Sequence, residues 1–344
     1  MGDSISTEEI EKSHLSKAKP VRLIWILLFI VLIIHPLIAG NIVETIGDGD
    51  NQITVIYLKG QPYEMGYIHG SFLKDQVVTL YDSILKVASS YADPILLDIA
   101  YNQMAPYIPQ AYKDDMRGLA DGAGVDLKTV HRMHAIPDLS EMDCTFFAAW
   151  GNATVDGNLY QIRAIDYATD LHLQEHPAIL VCEPDSGLRF INIGWVGFIG
   201  VISGMNYDGI AVSEIGDSFN KVYQTMAAEP MLFVLLDVLQ YSSSLDEAIE
   251  IIASAKCTSS FLYCVGDEKI PNARSFKAGP RYCDVFSDTT NLNSFLDDVV
   301  YFSMGVTSSW NSKVFDFLNG FFSEIQCFSV FNFAARRSWF CFQV

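Results

Sequence analysis

A cysteine, an arginine and an aspartate are spaced so that one hairpin can bring them to the same strand end. The stretch Asp143-Cys144-Thr145-Phe146-Phe147-Ala148-Ala149-Trp150 starts abruptly as an apolar strand, and Asp156-Gly157 is a hairpin turn signal. The returning strand, Leu159–Ile165, carries Arg163 and runs into Asp166. Pairing the two strands returns Arg163 and Asp166 to the end where Cys144 begins. A guanidinium beside a thiol favours the thiolate, against an ordinary thiol pKa of about 8.5. A carboxylate at the same edge can hold an ammonium group. That set suits nucleophilic attack on a carbonyl carbon. The same residues also fit a plainer reading, an inert buried cysteine beside an Arg163–Asp166 surface ion pair.

The composition narrows the remaining chemistry. Lys and Arg total 22 against 41 Asp and Glu, a net charge of −19, which disfavours binding to nucleic acid. Half of the 344 residues are apolar and 18% are charged, so the chain can bury a sizeable core. No Cys-x-x-Cys spacing is present. His131 and His134 lie three apart on an expected helix without an acidic or thiol partner, so no metal and no cofactor are expected.

Residues 23–34 form an uncharged apolar run behind Lys17, Lys19 and Arg22, followed by Leu37-Ile38-Ala39-Gly40. Its length lies between a signal-peptide core and the ~20 residues of a spanning helix, so cleaved signal and membrane anchor both stay open. The basic flank puts residues 1–22 in the cytosol and the rest in the secretory pathway: lysosomal, extracellular, or anchored and facing away from the cytosol. Asn152-Ala153-Thr154 is an acceptor sequon compatible with that address. Seven cysteines cannot all pair within one chain, so one thiol is left over in a compartment that permits disulfides.

The elements that must position the hairpin read as follows. Thr54–Leu58 is a short strand, and apolar residues from Phe72 to Val87 have helical spacing. A second helical stretch covers about 93–122, and Asp126 caps a short helix through His134. From Cys144 the period changes to that of strands. Three hairpins are expected: Thr145–Trp150 with Leu159–Ile165, Ala178–Cys182 with Leu188–Ile193, and Gly197–Ile202 with Ile210–Ile215. They imply an antiparallel sheet. Helices return at Met231–Tyr241 and behind the capping box Ser244-x-x-Glu247, and Phe261–Val265 is another strand. The pattern is that of a layered α+β domain.

Four segments in order carry a resemblance. Pro62-Tyr63-Glu64-Met65-Gly66-Tyr67-Ile68-His69-Gly70 and Met116-Arg117-Gly118-Leu119-Ala120-Asp121-Gly122-Ala123-Gly124-Val125 precede the hairpin with Cys144 and Arg163-x-x-Asp166. Gly204-Met205-Asn206-x-x-Gly209-Ile210-Ala211-Val212-Ser213-Glu214 follows it. Together they resemble the cysteine branch of the N-terminal-nucleophile hydrolases, which includes choloylglycine hydrolase and acid ceramidase. The upstream segments resemble the acyl-coenzyme A:isopenicillin N acyltransferase group, with secreted protist members nearest in character. The resemblance covers residues 54 to about 300.

It implies a four-layer αββα sandwich and a proenzyme that cuts itself between Asp143 and Cys144. Cys144 would attack the Asp143 carbonyl, and hydrolysis of the ester so formed would liberate the Cys144 α-amine as base. Arg163 would stabilise the thiolate and Asp166 would orient the amine. The substrate would be an N-acylated small molecule or lipid with a linear amide bond, taken through an acyl-thioester to water or to an acceptor amine. Residues 41–143 would be a mainly helical prodomain that stays associated with the mature chain, and 144–310 the catalytic sandwich. A phospholipase B-like or ceramidase-like lipid hydrolase, or a catalytically idle secreted protein of the same fold, are the rival readings. The position where choloylglycine hydrolases carry their oxyanion asparagine is Gly216 here, so Asn206 or backbone N–H groups would serve instead.

Residues 311–344 depart from the pattern, with nine Phe between Phe315 and Phe342 and few charges. This tail reads as replacing the family's closing segment, leaving one sheet without its last strands.

Overall fold

A computed structural model of the chain describes residues 42–49, 52–139, 144–165, 169–217, 224–288, 299–303 and 338–343. The chain divides at Ile42, and all the elements below belong to the unit Val43–Val344. The apolar run 23–40 and Asp143, at the expected processing bond, lie outside the described residues, as does Asp166. Among the described residues no helix is long and apolar enough to cross a membrane.

Two strands, β1 (Val43–Ile46) and β2 (Ile53–Gly60), lead into five helices. These are α1 (Pro62–Phe72), α2 (Lys74–Tyr91), α3 (Ile95–Met104), α4 (Gln110–Ala123) and α5 (Leu127–Leu139). The single helical stretch expected over 93–122 is broken into α3 and α4. Pro106 and Pro109 interrupt it, because proline offers no N–H to an ongoing helix. Asp126 caps α5 through a bond from the Lys128 N–H at 3.0 Å, and α5 runs on past His134 to Leu139.

Helices α1 and α4 pack backbone to backbone. Gly66 and Gly70 on α1 face Gly118 and Gly122 on α4, each pair one helical turn apart. A Cβ at Gly118 would lie 2.0 Å from the Tyr63 carbonyl oxygen, and one at Gly66 would lie 2.0 Å from that of Asp115. The two glycine-rich segments therefore work as one joint, which explains their spacing.

After the helices come β3 (Cys144–Ala149), β4 (Tyr160–Ile165), β5 (Pro177–Pro184), β6 (Phe190–Trp195), β7 (Ser203–Asn206) and β8 (Ile210–Gly216). Helices α6 (Met231–Tyr241) and α7 (Leu245–Ser254) precede β9 (Phe261–Asp267), β10 (Asn272–Gly279) and β11 (Tyr282–Phe286). The last two strands are β12 (Val299–Ser303) and β13 (Ser338–Gln343).

A nine-stranded sheet has the order β1-β2-β5-β6-β7-β8-β9-β10-β11, and a four-stranded sheet the order β12-β3-β4-β13. All pairings are antiparallel except β2 with β5, which is parallel. The third expected hairpin is corrected. Its first arm is Ser203–Asn206, while Gly197–Ile202 is a loop. Gly197 and Gly200 have positive φ, and the N–H groups of Gly197 and Ile199 bond to His69 Nε2 and His134 Nε2, each at 2.9 Å, instead of to a strand.

Helices α1, α6 and α7 pack on one face of the large sheet, and β3 and β4 pack on the other through β8 and β9. Strands β3 and β4 are buried on both faces, as Phe146 and Arg163 are on one and Phe147, Ile162 and Ala164 on the other. That is the burial an inner sheet of a layered α+β sandwich requires, and the fold is of that class. The tail expectation is corrected at Ser338–Gln343: these residues rejoin the small sheet as its edge, paired with β4.

Candidate active site

The site is built on the β3–β4 hairpin. Cys144 opens β3 opposite Ile165, and Phe146 stands opposite Arg163. Because side chains alternate along a strand, Cys144, Phe146, Gln161, Arg163 and Ile165 all point to the same face. That face meets the large sheet. Gln161 Nε2 donates to the Ser213 hydroxyl at 2.8 Å and to the Cys264 carbonyl at 3.3 Å, across the gap between sheets.

Arg163 spans the same gap. Its Nη2 lies 4.0 Å from Cys144 Sγ and donates to Glu214 Oε2 at 3.0 Å. Its Nε donates to the Glu214 main-chain carbonyl, and its Nη1 approaches the Ser203 hydroxyl at 3.4 Å. Both Cys144 and Arg163 are 1% exposed. The plainer reading, in which Arg163 forms a surface pair, is therefore excluded for the arginine. It is a fully buried cation whose counter-charge is Glu214, and it presents one N–H to the sulfur. A guanidinium suits this use because its planar fork can bond in several directions at once and stays charged.

Glu214 went unassigned in the sequence, though it ends the quoted Gly204–Glu214 segment. The available signal was its place in Ile210–Gly216, a strand buried at every position. An acid in such a strand needs a buried cation.

Asn206 does not belong to this constellation. Its Nδ2 donates to the carbonyls of Leu239 (3.1 Å) and Ser242 (2.8 Å), and its Oδ1 accepts the N–H groups of Asp208 and Ile210, both at 3.0 Å. Two donors and two acceptor positions are the whole capacity of a carboxamide, so none remains for an oxyanion. It shapes the β7–β8 turn and ties it to the end of α6. His134 bonds through Nδ1 to the Val130 carbonyl at 2.8 Å, and His131 stacks on Tyr101 at 3.8 Å between ring centres. Burial lowers both histidines, and His69, to about 4. They are neutral structural groups near pH 7. Asn152, the sequon residue, is exposed in the β3–β4 connection. Among the described residues no cluster of three or more His, Cys, Asp or Glu could hold a metal ion.

Comparison with known proteins adds likeness over half or more of the chain. No family model matches the sequence. Two curated relatives from Dictyostelium discoideum are each 27% identical over 85% of this chain: protein dcd1B, of which the match spans 65%, and protein dcd1A, of which it spans 75%. An uncharacterised protein of Archaeoglobus fulgidus is 28% identical over 65% of this chain and 43% of its own length. Among solved structures, the chain is similar to a Caenorhabditis elegans ortholog of N-acylethanolamine-hydrolyzing acid amidase. The TM-score is 0.37 at 16% identity, covering 50% of this chain and 73% of that one. It is also similar to a conjugated bile acid hydrolase from Clostridium perfringens, at a TM-score of 0.36 and 14% identity over 57% and 63% of the two chains.

Proposed function

We propose that this chain is a self-processing cysteine hydrolase or acyltransferase of linear amide bonds in N-acylated small molecules or lipids. The observation that carries the reading is the buried guanidinium of Arg163 beside Cys144 Sγ at the start of β3. A catalytically idle fold has no need to bury that cation against a thiol, since desolvating it costs several kcal/mol before pairing.

In the first stage the Cys144 thiol attacks the Asp143 carbonyl. The peptide bond shifts from nitrogen to sulfur, and water cleaves the thioester, leaving an Asp143 carboxylate and a Cys144 α-amine. An α-amine has an ordinary pKa of about 7.7–8.0, so it can take the thiol proton near neutrality. In the second stage the thiolate attacks the substrate carbonyl, and the amine half departs with the proton held on the α-amine. Water then releases the acid, or an acceptor amine takes the acyl group. Arg163 steadies the sulfur anion, Asp166 orients the α-amine, and backbone N–H groups take the oxyanion role that Asn206 cannot fill.

Denaturing gels and N-terminal sequencing of the purified chain test this. Expected are a fragment ending at Asp143 and one beginning at Cys144, with a single uncut band in Cys144→Ala. Cleavage of Cys144→Ala at this bond, or a parent chain that never cuts, would overturn the self-processing reading.

A further inference from the structure

Two side chains grip the Gly197–Ile202 loop at its two glycines, and each has one polar end to spare. His69, on α1, accepts the Gly197 N–H on Nε2 at 2.9 Å. A ring nitrogen that accepts carries no proton, and the ring is neutral near pH 7 because burial lowers it to about 4. The proton is therefore on Nδ1, which becomes a donor. Among the described residues no group bonds to that nitrogen. Asn192, on β6, donates from Nδ2 to the Gly200 carbonyl at 2.7 Å. A carbonyl can only accept, so it fixes which end of the carboxamide is Nδ2. The other end, Oδ1, is buried without a partner. His69 is 1% exposed and Asn192 5%.

The two spare ends belong to one cleft. His69, Asn192 and Gly200 are all in its walls, as are Asp115, Cys182 and Gln240. Its room for water is about 30 Å³, against the ~10–15 Å³ that one water needs. That is too little for an organic ligand and enough for water. A donor and an acceptor that share such a space without bonding each other are matched by a molecule that both accepts and donates. Water does both, whereas an ammonium ion could only donate. With neither bond made, two buried polar groups would carry their full desolvation cost.

We propose that this cleft is a binding site for a single resident water, which accepts the His69 Nδ1–H and donates to Asn192 Oδ1. The water closes a ring that runs from His69 through Asn192 and the Gly200 carbonyl, then back along the loop to Gly197. The ring fixes a loop whose two glycines have positive φ, and that loop delivers Ser203 to Arg163. His69 precedes Cys144 in the chain and Asn192 follows it. On the self-processing reading the water therefore joins the two fragments. Neither the site nor its test depends on cleavage.

The first test is a crystal structure of the full chain at a resolution that shows single waters. Expected is one ordered water about 2.7–3.2 Å from both Asn192 Oδ1 and His69 Nδ1. A direct bond between the two side chains, or no ordered water at that point, overturns the proposal. Thermal unfolding of Cys182→Val asks the same question in solution. Cys182 stands diagonal to Asn192 across the β5–β6 pair, and the larger side chain enters the cleft. Filling a dry cleft raises the unfolding midpoint, whereas expelling a water that two buried groups need lowers it. A lowered midpoint is expected, and a raised one overturns the proposal. Asn192→Leu takes the acceptor away, so in that background Cys182→Val should lower the midpoint less than in the parent. An equal loss in both backgrounds would be overpacking alone, with no water held at Asn192. Should Asn192→Leu fail to fold, the crystal structure decides.

Discussion

A buried guanidinium is tolerated only while its bonds are complete. Arg163 has Glu214 as counter-ion, the Glu214 carbonyl, and the Ser203 hydroxyl around it. Glu214→Gln keeps the shape and removes the charge, leaving an uncompensated cation between the sheets. The expected loss is about 3–5 kcal/mol of unfolding free energy, read by denaturant titration. Arg163→Met added to Glu214→Gln should cost less than the two single changes summed, because the second change removes the stranded charge. Strictly additive losses would show that the pair is not coupled. A second buried acid makes a pH prediction. Asp138, near the end of α5, accepts bonds from the Thr258 hydroxyl and, at 3.1 Å, from the Met231 N–H, while its Oδ2 has no partner. Burial pushes it up from 3.8 to about 6. Its folded value is above its unfolded one, so the folded state holds the proton more tightly. That contribution is complete below about pH 4 and is lost as pH rises through about 6, a change of about 3 kcal/mol at ~1.4 per unit. Asp138→Asn mimics the protonated acid and does not titrate. The stability of the parent relative to Asp138→Asn should fall between pH 4 and pH 7, and parallel curves across that window would refute the assignment.

At the scale of elements, the α1–α4 joint sets how the helical layer sits on the large sheet. Gly118→Ala would gain roughly 1 kcal/mol of helix propensity at an unstrained site. Here the added Cβ meets the Tyr63 carbonyl oxygen at 2.0 Å and the Tyr67 nitrogen at 2.8 Å, so two backbones must part. Overpacking of this kind typically costs 1–3 kcal/mol or more and outweighs the gain. The expected result is a lowered unfolding midpoint, and a raised midpoint would mean that the helices do not meet at these glycines. The spacing of those glycines was legible in the sequence, but their use was not, because close approach is a property of two helices and neither one shows it alone. The β3–β4 hairpin was legible for the opposite reason: its turn, its alternation and its register are local. The Gly197–Ile202 loop was misread because its N–H partners, His69 and His134, lie on helices far back in the chain. β10 and β11 were not anticipated, since polar and charged residues interrupt their alternation. Glu214 was missed because its role exists only once two sheets face each other.

At the scale of the whole molecule, the chain returns to its own middle. β12 pairs with β3 and β13 with β4, so the hairpin that carries Cys144 and Arg163 is flanked on both sides by strands from the C-terminal part. Composition had set the Phe-rich tail apart from the sandwich. Backbone pairing places Ser338–Gln343 inside it, with Phe340 opposite Arg163 in register. Six residues of β4 thereby have a partner on their outer edge. Removing residues 338–344 leaves that edge bare, and an unpaired edge strand is a template for pairing with a second chain. It also loosens the strand that holds Arg163, although no side chain of the site is deleted. The truncated chain is therefore expected to aggregate on gentle heating, as followed by light scattering, and, on the proposed self-processing, to be cut more slowly than the parent. Lys substituted for Gln161 would not be a fair control, because that side chain bonds across the sheets. A cleaner control is the full chain with both Trp339→Pro and Phe340→Pro, which keeps the tail while removing, from two adjacent positions of β13, the N–H groups of which one must face β4. It should shift both properties in the same direction by a smaller amount. If the truncated chain keeps the parent's scattering profile and its cleavage rate, β13 has no part in holding the β3–β4 hairpin.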